Sequence, residues 1–507
     1  MPAAGGTVSR DVALLHDAGV PVGWMSELWS LATLAVPTIS VTTVGSRLVH
    51  ACVAQAVIGK CWGKMEQAAA GFAIAIYIPL TVAPTGLVAT LGVLSSQAIG
   101  AGNVALAGEW LLVAAMVLLI IGVCCVAFCI VLTPMFIELS IPDSTIQHMA
   151  ADFTFIFAWS GIIFQLFQMM RAWFGSQGVV MPFTVATVLG LGCTVGIGIL
   201  LACQSESIQW TGASVAVDCA GLAQLVLIFL WSLLAQGVHR TAWATANWRS
   251  AFARGRILEV MRQGGYRGLW LVLDESACLL VTLMTGRLGT AEVATQSVYF
   301  LLWSVAFAIQ IGLGFSVSTR VGLYLGAGKG WSARRAAMVG LIMFIGKAVL
   351  FNLIILSFSP QLSRLFSSDI QVQLLLQQNM LGLTLCIAAT ALAQGTAAAL
   401  DGAAAVRSLA AIVATGSWCI GLPMSAMLGF GPPALRLRGV WLGLASGESA
   451  KAVIALIVLS RFDWLEAAAA AQQCSGVAEL ESCSTNDLPG DTPNVCLNEN
   501  SHNGTVP

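Results

Sequence analysis

The sequence predicts an all-α polytopic membrane protein with twelve transmembrane helices in two pseudo-symmetric six-helix lobes. Three observations carry that prediction. The 507 residues are 58% hydrophobic and only 9% charged, with a mean hydropathy of +0.86, against roughly 25% charged residues in a typical soluble domain. The apolar residues fall in runs of about 20, the length that crosses the hydrocarbon core of a bilayer. A set of residues also recurs at a constant offset of 226 positions. This composition excludes a soluble globular enzyme, a disordered chain and a nucleic-acid binder, and a net charge of −1 offers nothing to a polyanionic partner.

The elements follow in chain order. Residues 1–25 form a cytosolic N-terminal segment. Its first 23 residues hold Arg10 and only a weak apolar stretch, which is no secretory signal peptide, so the first span serves as an uncleaved insertion signal. The N-terminal lobe, 26–238, carries spans near 29–51, 68–94, 108–133, 149–170, 182–203 and 213–236. A polar, basic cytosolic linker occupies 239–265. The C-terminal lobe, 266–464, carries spans near 266–286, 293–317, 337–358, 373–395, 409–430 and 440–460. The tail 465–507 turns to Ala, Ser, Asn, Asp and Pro. It buries too little apolar surface to fold alone and reads as a disordered cytosolic tail. With a cytosolic N-terminus, 14 Lys and Arg fall on the cytosolic side and 6 on the outer side, the bias that sets orientation. Both termini are then cytosolic, and the sequon at Asn503 is unglycosylated.

The 14 cysteines contain no CxxC pair and the five histidines no HxxxH pair, so neither a metal nor a cofactor is expected. No GxxxxGK[ST] segment occurs, so the chain shows no sign of hydrolysing nucleotide.

The offset of 226 pairs Gly63 with Gly289, Glu66 with Glu292, Gly86-Leu87 with Gly312-Leu313, Gly100-Ala101-Gly102 with Gly326-Ala327-Gly328, and Ala107 with Ala333. Glycine and alanine are common here, so each match is weak alone and the ungapped register carries the weight. Six spans per repeat is an even number, so both repeats share one orientation and are related by an axis along the membrane normal. Two such bundles enclose a central path, which favours a carrier over a receptor or a membrane enzyme.

Several motifs point to one family. Ser95-Ser96-Gln97-Ala98-Ile99-Gly100-Ala101-Gly102-Asn103 ends the second span, and Arg320-Val321-Gly322-Leu323-Tyr324-Leu325-Gly326-Ala327-Gly328-Lys329 ends its repeat mate. Gly286-Arg287-Leu288-Gly289-Thr290-Ala291-Glu292 lies before the eighth span, Gly421-Leu422-Pro423 in the eleventh, and Gly439-Val440-Trp441-Leu442-Gly443-Leu444 at the start of the twelfth. Ser176-Gln177-Gly178 follows the fourth, and Phe462-Asp463-Trp464 follows the last. Over residues 26–466 the chain resembles the multidrug and toxic compound extrusion (MATE) family, in its eukaryotic type. The resemblance implies a secondary active antiporter, not an enzyme, that exports organic cations, drugs or metabolites in exchange for protons or sodium by alternating access.

A carboxylate in hydrocarbon is costly and usually faces a bundle interior or water. Asp274, twelve residues before Gly286, stands where eukaryotic members have a functional Glu, and the resemblance implies that it is the ion-coupling carboxylate. Glu275, about 100° further around the helix, is the alternative. The structural alternative is that Asp274 is held by Arg267, about two turns away on the same face. The usual acid set is otherwise reduced: the second acid of the seventh span falls on Leu279, that of the eighth near Leu301 or Trp303, and that of the tenth on Thr390. Asn-Glu of the eighth-span motif is Leu323-Tyr324, the usual Arg before the tenth-span Gly is Asp401, and the first span offers Gln55 and no acid. Glu448 falls where the family often has Gln. Arg47 near the pseudo-symmetric mate of Asp274, and Asp218 in the sixth span, are further polar candidates.

Trp270, Tyr299 and Trp303 lie on spans expected to face the cleft, where aromatic faces attract organic cations. Gln296 and Gln310 add hydrogen-bonding capacity. The expected substrate-binding set is therefore Gln55, Trp270, Gln296, Tyr299, Trp303 and Glu448. The expected partners are a small organic cation, the coupling ion and the bilayer, with the chain a monomer in a plasma membrane or a vacuole-like organelle membrane. Two rivals remain at this point: a lipid or oligosaccharide-lipid flippase of the related exporter superfamily, and a degenerate carrier that no longer transports.

Overall fold

The computed structural model describes residues 23–476 apart from 45–46, 63–64, 68, 72, 75–81, 141–143, 205–210, 236, 367–369 and 433–434. Every regular element among them is helical. In chain order these are α1 (Trp24–Val44), α2 (Arg47–Cys61), α3 (Thr85–Gly100), α4 (Val104–Ser140), α5 (Ser144–Phe157), α6 (Trp159–Gly175), α7 (Met181–Gln204) and α8 (Gly212–Leu234). Then come α9 (Val238–Thr245), α10 (Trp248–Ala251), α11 (Arg254–Thr285), α12 (Thr290–Gly326), α13 (Gly330–Ser357), α14 (Ser359–Phe366) and α15 (Ile370–Gly402). α16 (Val406–Val413) runs through a π-helix, Ala414–Gly421, into α17 (Leu422–Phe430), followed by α18 (Arg436–Ser460) and α19 (Trp464–Cys474).

Ten helices among the described residues are long and apolar enough to cross a membrane. They match the third to twelfth expected spans. The region expected to hold the first two is divided among α1, α2 and α3, and residues 75–81 of the second lie outside the described residues. The membrane class rests on what these helices expose. Leu119, Ile120, Val123 and Phe128 of α4 and Leu350, Leu353 and Ile354 of α13 are bare to the surroundings. Such an apolar surface is a liability in water and the natural surface in lipid, where helices alone satisfy their own backbone.

The repeat is visible in the backbone. α4 and α13 begin at Val104 and Gly330, and α5 and α15 at Ser144 and Ile370, each pair 226 residues apart. Gly102 and Gly328 take left-handed φ values of 77° and 73°. Gly178, φ 77°, has Ala404, φ 58°, as its mate. A non-glycine residue in this region costs roughly 1–2 kcal/mol. Ala404→Gly is therefore expected to raise the thermal unfolding midpoint of the purified protein, by an amount equivalent to about 1 kcal/mol; an unchanged or lower midpoint would show that the turn carries no such strain.

Three expectations are corrected. The basic segment 239–265 is more than a linker between the lobes: it forms α9, α10 and the first turns of α11. It docks through Glu109 of α4, whose carboxylate accepts from Ser250 Oγ (2.6 Å) and the Asn247 amide (3.2 Å) and pairs with Arg256. The tail does not lose structure at 465. Asp463 caps α19 by accepting from the Leu465 and Glu466 amides (2.9 and 3.1 Å), the Ala-rich run that follows has high helix propensity, and Trp464 enters a core with Tyr324, Leu325 and Ala333. Residues 477–507, with the sequon, lie outside the described residues, as do residues 1–22. Finally, α1 does not belong to the N-terminal bundle alone. Its Leu31 and Ala35 pack in that same core, while Pro37 accepts from Thr184 of α7 (3.2 Å).

The two halves close on each other at the end that carries the glycine turns, the expected cytosolic end. A Cβ on Gly100 would lie 2.1 Å from the Leu323 carbonyl oxygen, and one on Gly326 2.0 Å from that of Gln97. At 1.5 Å per residue, the 37-residue α12 is roughly 55 Å long, so it projects past the hydrocarbon and can make polar contacts there. Arg320 of α12 pairs with Glu27 of α1 at 3.1 Å, and Tyr324 donates its hydroxyl to Glu27 at 2.6 Å.

Candidate functional site

Within the C-terminal half, four helical elements bring polar side chains to one point in the apolar interior. Asp274 comes from α11, Glu448 and Lys451 from α18, Ser417 from the π-helix, and Thr390 from α15. The Lys451 ammonium lies 2.7 Å from Asp274 Oδ1 and 2.6 Å from Glu448 Oε1. Ser417 donates to Asp274 Oδ1 at 3.2 Å. Lys451 and Glu448 are one turn apart on α18 and only 3% and 4% exposed.

The local sequence explains how Lys451 gets there. The π-helix Ala414–Gly421 contains Gly416 and Gly421. A Cβ on Gly416 would lie 2.2 Å from Lys451 Cγ, and one on Gly447 2.6 Å from the Gly421 Cα. Small residues on both elements let α18 come close, and the lysine stem runs over Gly416 to reach Asp274. The π-helix also turns Ser417 toward Asp274 and lets Trp418 Nε1 donate to the Leu273 carbonyl at 3.0 Å. Local π geometry inside α-helices occurs often at functional sites.

The other expected residues divide by location. Glu275, partly exposed, follows Asp274 on α11. Trp270, one turn before Asp274, lines a small cleft with Gln394, Leu409, Ile412 and Lys451. Gln296, Tyr299 and Trp303 of α12 do not present free faces to a cleft in this conformation. Gln296 Oε1 accepts from Trp441 Nε1 at 2.8 Å, Tyr299 donates to the Leu376 carbonyl at 2.5 Å, and Trp303 stacks on Phe300 and Phe307 at 5.8 and 4.8 Å. Tyr299, Trp303 and Trp441 together form part of the bundle core, because aromatic bulk of this size fills the gap between α12, α15 and α18. Gln310 is likewise buried, with Oε1 unpaired. Gln55 sits half-buried on α2, and Asp218 half-buried on α8 with Oδ1 unpaired, both in the N-terminal half. The Arg47 side chain lies outside the described residues.

Arg267 does not hold Asp274. It is 0% exposed and donates to Asp401 Oδ1 (2.5 Å), Gln263 Oε1 (2.9 Å), the Asp401 carbonyl (3.1 Å) and Thr90 Oγ1 of α3 (3.1 Å). Asp401 also accepts from Ser318 Oγ at 3.1 Å. This network joins the two halves near the glycine turns. Arg171 of α6 makes a second junction, its guanidinium 4.3 Å from the centroid of the Phe315 ring on α12.

Lys451 is a functional-site candidate that the sequence analysis did not single out. The available signal was its spacing from Glu448: an acid and a base three residues apart face each other on a helix. The carboxylate absent at Thr390 has a neighbour in Glu448, which lies against Thr390 from the adjacent helix.

A bundle of membrane-crossing helices built as two repeats, with a charged cluster buried in one half, defines a multi-pass membrane transporter rather than an enzyme. A family model described as MatE matches residues 49–200 and 272–427, one stretch in each half, and the chain belongs to the MatE family. Multidrug and toxin extrusion protein 2 of Oryctolagus cuniculus is 25% identical over 427 residues, covering 82% of this chain and 68% of its own. Multidrug and toxin extrusion protein 1 of Homo sapiens is 25% identical over 417 residues, covering 81% and 71%. The fold is similar to the crystal structure of the eukaryotic MATE transporter AtDTX14, with a TM-score of 0.81 at 19% identity, covering 89% of this chain and 99% of that one.

Proposed function

We propose that this chain is a secondary active antiporter that exports organic cations, drugs or metabolites in exchange for protons, with sodium as the alternative ion. The observation that carries the reading is the Asp274–Lys451–Glu448 cluster buried in a MatE-family bundle. Ionised groups so far from water are expensive, and a fold that needed only stability would be served as well by apolar residues of the same volume. A cluster of this kind holds a small cation against carboxylates and responds to a change of charge.

The two halves rock about the central cleft between them. Close backbone packing at Gly100 and Gly326 and the polar junction Thr90–Arg267–Asp401 support a closed state at the expected cytosolic end. The Gly100 and Gly326 approaches and the Arg267–Thr90 hydrogen bond join the two halves and are lost when they part. The protein acts as a monomer, both repeats lying in one chain, in a plasma membrane or a vacuole-like organelle membrane.

The test is flux in reconstituted vesicles under an imposed proton or sodium gradient, with a fluorescent organic cation as reporter. Proton-driven flux is expected in the wild type, and Asp274→Asn is expected to reduce it by at least about tenfold, a barrier change of 1.4 kcal/mol or more. Flux that survives the substitution would move the coupling to Glu275. Absence of gradient-driven cation flux in the wild type would sink the reading and favour a lipid-linked or anionic substrate, or a carrier without transport.

A further inference from the structure

We propose that Lys451 divides the labour of the cluster: it holds Asp274 as a fixed anion and leaves Glu448 as the one carboxyl that takes up and releases a proton. This rests on the antiport reading above and assigns a role within the same site.

The argument begins with partners. Asp274 Oδ1 takes two donors, Lys451 Nζ at 2.7 Å and Ser417 Oγ at 3.2 Å. Glu448 takes Lys451 through Oε1 only, and its Oε2 is enclosed by the protein without a hydrogen-bond partner. Thr390 faces Glu448 and has one hydroxyl hydrogen to give, shared between that carboxylate and the Cys386 carbonyl at 2.8 Å, and Oε2 remains without a partner. A buried carboxylate oxygen with no donor is the place where a proton restores what solvent has been stripped from.

Charge counting leads to the same residue. Glu448 faces Lys451 on its own helix and Asp274 across from α11, while Cys278 of α11 and Cys386 of α15 are the thiols within electrostatic reach. Two carboxylates against one ammonium leave the buried cluster one negative charge in excess. Lys451 is 3% exposed and held by both acids, so it keeps its proton. Neutrality in the membrane interior then requires one added proton. Asp274 has two donors that favour the charged form, and Glu448 has a vacant oxygen. Glu275 stands next to Asp274 but is partly open and can be hydrated. The step itself is simple: an O–H bond forms at Glu448 Oε2 when a proton enters and breaks when it leaves, with no other bond altered.

The count makes an unusual prediction for combined variants. Glu448→Gln leaves one acid against one lysine, a neutral pair with nothing to exchange. Asp274→Asn does the same from the other side, because Lys451 then neutralises Glu448. Adding Lys451→Met to Glu448→Gln frees Asp274 to serve as the single exchanging acid.

Infrared difference titration of the purified, reconstituted protein reads this directly and needs no transport. Every protein in the series carries Asp218→Asn, because Asp218 Oδ1 is a second buried carboxyl oxygen without a partner, and a protonated-carboxyl band is expected in the otherwise wild-type protein. It should shift when glutamate is isotope-labelled, vanish in Glu448→Gln, and return in Glu448→Gln/Lys451→Met as a band that shifts with labelled aspartate instead. Lys451→Met alone should give a larger band with contributions from both labels. A wild-type band that follows labelled aspartate, a band that persists unchanged in Glu448→Gln, or no protonated carboxyl at any pH would overturn the assignment. In the vesicle assay, Glu448→Gln should lose proton-driven flux by about tenfold or more and the double variant should regain part of it. If the wild type carries no proton-driven flux, the antiport reading fails, while the infrared titration still decides which carboxyl holds the proton.

Discussion

Gly326→Ala, and equally Gly100→Ala, is expected to abolish transport while leaving each helix folded. An added Cβ would sit 2.0 Å from the Gln97 carbonyl oxygen in the first case and 2.1 Å from that of Leu323 in the second. Both obstacles are backbone, so no side chain can swing aside. Alanine is the better helix former by about 1 kcal/mol, so the helices themselves do not suffer; what fails is the approach of α3 to α12. The halves would be wedged apart at the expected cytosolic end. A cysteine placed at Ser95, fully buried in the wild type, should gain reactivity toward a membrane-impermeant thiol reagent from that side. Retained flux, or an unreactive cysteine, would show that this close packing is not needed for closure.

The second large effect is expected from Arg267→Ala. It leaves the Asp401 carboxylate, a buried group, without its cation. Removing one partner of a buried ion pair costs about 3–5 kcal/mol, and the thermal unfolding midpoint should fall accordingly. Arg267→Ala/Asp401→Ala should recover a substantial part of the loss, because the uncompensated charge is gone; the difference is the coupling of the pair. Since Arg267 Nη1 also donates to Thr90 across the two halves at 3.1 Å, flux should fall further than the stability loss alone explains. Stability equal to wild type in the single variant would remove the network from any account of closure.

Asp274 was legible in the sequence, because an acid in an apolar run stands out and its distance from Gly286 is fixed by the helix. Its partner was not. Arg267, two turns away on the same helix, was the natural choice from spacing, yet it turns to Asp401, 134 residues further along the chain. Lys451 reaches Asp274 over 177 residues of sequence, past Gly416, whose missing side chain makes the passage. Tyr299 and Trp303 show the same limit from the other direction: their helix was identified, but which face of it meets core depends on the rotation that packing against α15 and α18 imposes. The tail misled by composition. Its Ala-rich start was read with the polar residues beyond it, although Asp463-Trp464 carried a cap and an anchor.

The sequence by itself determined the membrane class, the helical architecture and the register of the repeat. Hydropathy and periodicity act locally and add along the chain, and a spanning segment must satisfy its own backbone wherever it lies. Only the tertiary structure decided which charges meet, which aromatic faces are covered, and where the two halves touch. Ion pairing, hydrogen bonding and backbone approach change sign within an ångström or two, and those distances are set by how whole helices pack against one another.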